Sequence, residues 1–441
     1  MSISVISFIG ILAGIAVFVF LAMKGTTIVV SALSAALVMI LTSGANPLGM
    51  LQEDWAAGFA GFLKSYFLIF VLSSLFGRVL SDSGSAKRIA LSVYHMISKS
   101  KKNQKLFAVL FVPMLYIILS YVGISGFVLI FTILNIAKQI FQECDVPWRM
   151  YCYGGSSVLA VVFMGGSLQI ANIAAAKICG TSTSAAMLLS LIATGIYLAV
   201  LVLLVKLDLK KAEKNGEGFM ETGAEFLKIE KPGVALADED ESKLPNLILA
   251  IIPMLAMVLS AAVFNLDILI SLGIGIVLCF VLFFKRIVSI KETLTAGVTT
   301  SFAPVMGVAA TFAIASVIKA VPGFGLITAG LGTLPPLFNG IALIGVMSFA
   351  LSSSSASIPA MGPLAFESFV EAGLTPAVSH RLMLISTFTA LPPHSSAIAN
   401  VSTVTKIPYK SCLGVYMKAT LIPGICAFAV SLALIMTGIF H

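Results

Sequence analysis

Charge is what this sequence has least of: lysine, arginine, aspartate and glutamate together make up 10% of its 441 residues, against about a quarter in soluble domains. Hydrophobic residues make up 59%, and the mean hydropathy is +1.06. A water-soluble core cannot absorb that much apolar surface. The charges fall in short islands between apolar runs of about 18 residues or more, the length that crosses a bilayer core of about 30 Å. Cysteine is scarce as well. Cys144, Cys152, Cys179, Cys279, Cys412 and Cys426 are scattered without a Cys-x-x-Cys pair, and the four histidines do not cluster, so no metal site and no disulfide framework is expected. There is no His-Glu-x-x-His and no pair of aspartates at membrane depth, which argues against an intramembrane enzyme. The net charge of +8 comes from basic residues beside apolar spans, a topological bias and not the basic stripe of a nucleic-acid binder. Met1 to Met23 lacks a basic leader and a small-residue cleavage site, and is expected to be a retained first span.

Uninterrupted apolar runs predict spans at about 4–23, 27–43, 64–81 and 184–205, and again at about 246–265, 268–284, 299–318 and 412–438. Between them lie two apolar regions, about 105–180 and 337–410, that are punctured by Gly, Ser, Pro and Asn. Such punctuation at membrane depth needs protein or water around it. The polar stretch Lys206 to Pro245 carries seven Lys and ten Asp or Glu, and reads as a mobile cytoplasmic linker (206–245) between two halves.

The halves, 1–205 and 246–441, resemble each other. Ser167-Leu-Gln-Ile-Ala-Asn172 recurs 228 residues later as Ser395-Ser-Ala-Ile-Ala-Asn400, and each copy closes a punctured region. Each half then reads as three spans, a re-entrant hairpin (106–142 and 338–372), a broken helix (149–178 and 379–408) and a last span. The expected fold is an all-α polytopic membrane protein. Its two repeats have five transmembrane spans each, one of them broken, and the odd number makes the repeats inverted. Asp82 to Lys105 holds six basic residues against one acid, so the third span should exit into the cytoplasm of an inner-membrane protein, with both termini on the periplasmic or extracellular side.

A helix broken at mid-membrane frees N–H groups whose dipole favours an anion, and carbonyls that suit a cation. Gly165-Gly166-Ser167 and Pro392-Pro393-His394-Ser395-Ser396 are the expected breaks, and the hairpin tips fall at Tyr121 to Gly126 and Ser352 to Ser357. Proline or glycine kinks with serines bonded back to carbonyls would also explain one break alone; the symmetric pair favours binding. The candidate substrate- or ion-binding residues are Ser125, Gly126, Gly166, Ser167, Asn172, Ser353, Ser354, Ser355, His394, Ser395, Ser396 and Asn400. Asn172 and Asn400 suit either a bound group or an interhelical hydrogen bond, and His394 either a structural role or contact with a carboxylate or a coupled proton. Lys138, Glu143, Glu367, Glu371, His380 and Arg381 read as side chains that snorkel to the interface.

Three stretches carry a resemblance to a known family: Asp82-Ser-Gly-Ser-Ala-Lys-Arg-Ile-Ala90, Gly126-Phe-Val-Leu-Ile130 and Pro393-His-Ser-Ser-Ala-Ile398. With them the chain resembles the gluconate permease family of proton-coupled carboxylate symporters, within the ion transporter superfamily. The likeness implies the two-hairpin fold, a homodimer and uptake of a hydroxy-carboxylate such as gluconate. Ile124 stands where many members carry Asp, and Ser395-Ser396 replaces an Asn-Gly. These departures keep open a 3-hydroxybutyrate-like substrate, sodium in place of the proton, or exchange of di- or tricarboxylates. No cofactor is expected beyond the coupling ion, H+ or Na+. The hairpins and breaks favour alternating access over a continuous pore.

Overall fold

A computed structural model describes residues 2–99, 103–121, 126–167, 169–227, 241–262, 264 and 266–440. Among them every regular element is helical. The first half contains α1 (Ile3–Met23), α2 (Ile28–Leu41), a short α3 (Pro47–Met50), α4 (Ala56–Asp82) and α5 (Ser85–Ser98). The hairpin arms α6 (Gln104–Tyr121) and α7 (Gly126–Glu143) follow, then α8 (Cys152–Phe163), α9 (Ile170–Cys179), α10 (Met187–Lys214) and α11 (Met220–Leu227). The second half contains α12 (Leu247–Ala262), α13 (Ile268–Phe283), α14 (Ile290–Ala320), α15 (Pro322–Leu331), α16 (Pro336–Leu351), α17 (Ser354–Glu371), α18 (Pro376–Ile385), α19 (Ser396–Thr405) and α20 (Tyr409–Met436).

All eight predicted spans are helices. By length and composition, six stretches among the described residues can cross a membrane: Ile3–Met23, Pro47–Asp82, Gln104–Tyr121, Met187–Lys214, Ile290–Ala320 and Tyr409–Met436. The chain is a multi-pass membrane protein. The hairpin arms are longer than the half-spans expected of them, since 16 to 18 residues at about 1.5 Å each cover most of a bilayer core.

α1 packs on α2 and α15, and α12 on α13 and α5; α4 packs on α13, and α14 on α2. α4 and α14 form the most extensive helix pair and run antiparallel. Gly58 faces Ala313 and Ser316, Gly297 faces Leu75, and Thr293 Oγ1 donates to Asp82 Oδ2 at 2.6 Å. In lipid, where apolar surface gains little from leaving the solvent, small residues that let backbones approach are the usual basis of such contacts. A Cβ on Gly58 or Gly297 would overlap the partner helix. Other contacts are not shared by the halves: α7 packs against α4, whereas α17 packs chiefly against α16, α9 and α18.

The polar stretch after residue 205 is folded in its first part, where mobility was expected. α10 continues to Lys214, and α11 lies against the start of the first broken helix. Trp148 packs between Phe219 and Phe226, with centroids 5.6 and 5.4 Å away, and Lys138 Nζ lies 5.3 Å from the Phe226 ring. Arg149 donates to both carboxylate oxygens of Glu217 at 2.6 and 2.7 Å and to Asp208 Oδ2 at 2.7 Å. These aromatic and paired charged groups order what composition alone reads as linker. Residues 228–240 of that stretch lie outside the described residues.

Candidate functional site

The first broken helix stops at Phe163 and restarts at Ile170. Gly166 takes φ +80° between them, a left-handed conformation, and a Cβ there would also meet the Tyr121 hydroxyl. Several of the freed backbone groups are claimed. Gly165 N donates to Ser190 Oγ at 2.5 Å and Gly166 N to Thr183 O at 2.9 Å, while Tyr121 OH donates to Gly165 O at 3.2 Å. Asn172 Nδ2 donates to Ser167 O at 2.8 Å and Thr183 O at 3.1 Å.

The second half closes this break from behind. Arg381 on α18 donates through Nη1 to Phe163 O at 3.1 Å, through Nη2 to Thr183 O at 3.1 Å and Ala185 O at 2.9 Å, and through Nε to Ala185 O at 3.3 Å. His380 Nε2 lies 2.9 Å from Asn172 Oδ1, an atom that only accepts, so Nε2 carries the proton and Nδ1 accepts from Thr181 Oγ1 at 2.7 Å. Both side chains are fully buried. The expectation that they snorkel to the interface is therefore corrected. Carbonyls released by a broken helix attract a guanidinium more strongly than the headgroup region does when the break packs directly on its helix. The adjacent His-Arg pair inside the run Val378 to Ile385 was the available signal. Glu367 and Glu371 do lie exposed.

The second break is held more sparsely. α18 ends in a 3-10 turn, Ser386–Thr389, and α19 starts at Ser396 with Ser395 as its cap, whose Oγ accepts from Ala397 N at 3.2 Å. Tyr409 OH donates to Pro393 O at 2.6 Å. His394 is buried, with Nε2 3.4 Å from Ala350 O and its ring edge-on to Phe349. In the adjoining hairpin tip, Ser352 is left-handed at φ 55°, and Ser353 Oγ caps α17 by accepting from Ala356 N at 3.2 Å. Ser348 Oγ and Ser357 Oγ, 2.7 Å apart, tie the two arms together.

Between the breaks and the tips lies a cavity of about 200 Å³. Four helices begin on its wall: α7 at Gly126, α9 at Gln169 and Ile170, α17 at Ser353, Ser354 and Ser355, and α19 at Ser396 and Ala397. Asn400 and Ser352 complete the polar part, and Tyr66, Tyr116, Phe312 and Tyr416 much of the aromatic part. Among the described residues, no Asp, Glu, Lys, Arg or His is on the wall. Ser352 Oγ, Asn400 Oδ1 and Tyr416 OH are buried without a hydrogen-bond partner. Each such group costs about 1–3 kcal/mol if left so, which suits a cavity that receives a polar occupant.

Of the predicted residues, Gly126, Ser353, Ser354, Ser355, Ser396 and Asn400 meet on this wall. Gly166, Ser167, His394 and Ser395, in the breaks themselves, and Asn172, in the first turn of α9, are not part of this wall, and Ser125 lies outside the described residues. The wall aromatics went unforeseen from sequence, because Tyr66 and Phe312 sit in unbroken helices, where a ring reads as ordinary span. Tyr416 reaches the cavity past Gly155, where any Cβ would collide with its hydroxyl.

Over 475 aligned residues, taking in 97% of this chain and 99% of the relative, the chain is 24% identical to the uncharacterized transporter YxjC of Bacillus subtilis (strain 168). This end-to-end likeness supports a membrane transporter. No protein-family model matches the chain.

Proposed function

We propose that the chain is a secondary active transporter for a small organic anion, with a hydroxy-carboxylate such as gluconate or 3-hydroxybutyrate as the substrate class. The observation that carries this reading is the convergence of four helix N-termini on one cavity whose described wall residues carry no ionised side chain. A helix N-terminus has N–H groups without intrahelical acceptors and the equivalent of about half a positive charge, so a carboxylate is favoured there and a cation is not. A hydroxy acid also matches the unpartnered atoms: Ser352 and Tyr416 hydroxyls can donate, and Asn400 Oδ1 can accept from a substrate hydroxyl. The volume, below the roughly 300–1,000 Å³ of drug-sized ligand sites, favours a small metabolite.

Two of the four helices come from each half, and the antiparallel α4–α14 pair is what inverted repeats require of counterpart helices. On this reading the hairpins move against a frame of outer spans and open the cavity to each side in turn. Proton coupling through His394 would act by way of the hairpin tip, since its Nε2 faces the carbonyl of Ala350, two residues before Ser352. A sodium-coupled or exchange carrier of di- or tricarboxylates is the second reading. It is favoured by the absence of an acid–base side chain from the wall. An inner-membrane homodimer with external termini fits either.

The test is uptake by proteoliposomes of radiolabelled gluconate, 3-hydroxybutyrate and citrate, under an imposed proton or sodium gradient. Uptake of one acid, weakened about tenfold in KM by Asn400→Ala, is expected; the loss corresponds to one hydrogen bond of about 1.4 kcal/mol. Transport of neutral or cationic solutes with no acid taken up would sink the anion reading.

A further inference from the structure

Outside the central cavity the structure has a second concavity, a groove of about 550 Å³ between α5, α6 and α10 lined by apolar side chains. Its floor is formed by buried Ile97, Phe111 and Leu201, and its rim by exposed Met96, Phe107 and Ile118. On α6 it runs from Phe107 to Ile118, about 17 Å at 1.5 Å per residue. One leaflet of a bilayer core measures about 15 Å.

Two described lysines, Lys99 and Lys206, stand toward one end of the groove. Lys99 caps α5 one turn beyond Met96, next to the start of α6. Lys206 follows Leu198 and Val202 at intervals of four on α10, so it extends the groove-facing side by one turn. The α6 start and the α10 end share that side: Lys105 Nζ lies 3.7 Å from Asp145 Oδ2, and Asp145 Oδ1 accepts from Phe219 N, just beyond α10, at 2.9 Å. Both Lys99 and Lys206 are exposed.

We propose that this groove holds one acyl chain of an anionic phospholipid, with Lys99 and Lys206 meeting its phosphate. Length and lining match a single leaflet chain, and the lysines select the headgroup. A basic residue at the membrane surface favours an anionic lipid by roughly fivefold. The basic end is the cytoplasmic one by the positive-inside bias, so the lipid belongs to that leaflet.

The experiment is native mass spectrometry of the full-length protein released from detergent containing equal amounts of phosphatidylglycerol and phosphatidylcholine with identical chains. Wild type is expected to retain phosphatidylglycerol at least tenfold over phosphatidylcholine. Lys99→Gln with Lys206→Gln should erase most of that preference, roughly 25-fold for two lysines. Met114→Trp, filling the groove, should lower retention of both lipids while leaving the elution profile monodisperse. Equal retention of the two headgroups, or a preference untouched by the lysine changes, overturns the proposal. So does a dimer that carries no lipid and is dissociated by Met114→Trp, because the groove would then hold a second copy of the chain.

Discussion

The two breaks start from nearly the same local sequence, Ser-x-x-Ile-Ala-Asn, and end in different chemistry. At the first, Asn172 is committed in full: its amide nitrogen donates to Ser167 O and Thr183 O, and its oxygen accepts from His380 Nε2–H. At the second, Asn400 has a buried oxygen without a partner, on the wall of the cavity. One break is a joint between the halves and the other is open to an occupant. A motif that recurs in sequence can therefore divide its work, because the satisfaction of a side chain depends on what packs against it.

The difference can be broken most severely at Arg381. Phe163 O keeps Ser190 and Thr183 O keeps Gly166 and Asn172 if the guanidinium is removed, but Ala185 O has no other partner shown. Arg381→Met should cost about 3 kcal/mol in SDS-titration unfolding, from lost charge-assisted bonds plus an orphaned carbonyl. A loss under about 1 kcal/mol would show that the first break holds without the second half.

Exchanging the roles of the two asparagines sharpens the contrast next. Asn172→Ala should lower stability by about 2 kcal/mol, since it strands the His380 N–H in a buried site. Asn400→Ala should leave stability within about 0.5 kcal/mol while weakening uptake, because its oxygen has no partner to lose. Equal stability losses would mean that Asn400 is structural after all.

Gly166→Ala tests the backbone of the same joint. A left-handed alanine costs about 1–2 kcal/mol, and the Tyr121 hydroxyl crowds the new methyl. The proline-built second break has no left-handed residue between Ile385 and Ser396, so Ala390→Gly there should bring no gain from relieved strain. The smallest effect belongs to the hairpin tip. Ser353→Ala removes one helix cap, about 1 kcal/mol by thermal or denaturant unfolding. An uptake defect larger than that energy allows would place the Ser353 hydroxyl on the substrate as well.

Much of the fold was readable beforehand. Apolar run length reveals a span regardless of its neighbours, and Gly165-Gly166 or Pro392-Pro393 interrupts a helix through its own backbone chemistry. The serine tip was readable for a related reason, since four consecutive hydroxyls in lipid require a polar cavity. Arg381 and His380 were misplaced because their burial is a property of the α8–α9 break they face, distant in sequence. α11 was missed because its order derives from Trp148 and Arg149, some seventy residues earlier.

By itself the sequence determined that the bilayer is the solvent, where the spans lie and where their helices break, because those depend on local hydropathy and on the dihedral limits of glycine and proline. Only the tertiary structure decided which broken ends share a cavity, which asparagine is left open, and where a buried arginine finds its partners. Those outcomes depend on distances between residues hundreds of positions apart, and hydrogen bonds and helix dipoles act only across such short distances.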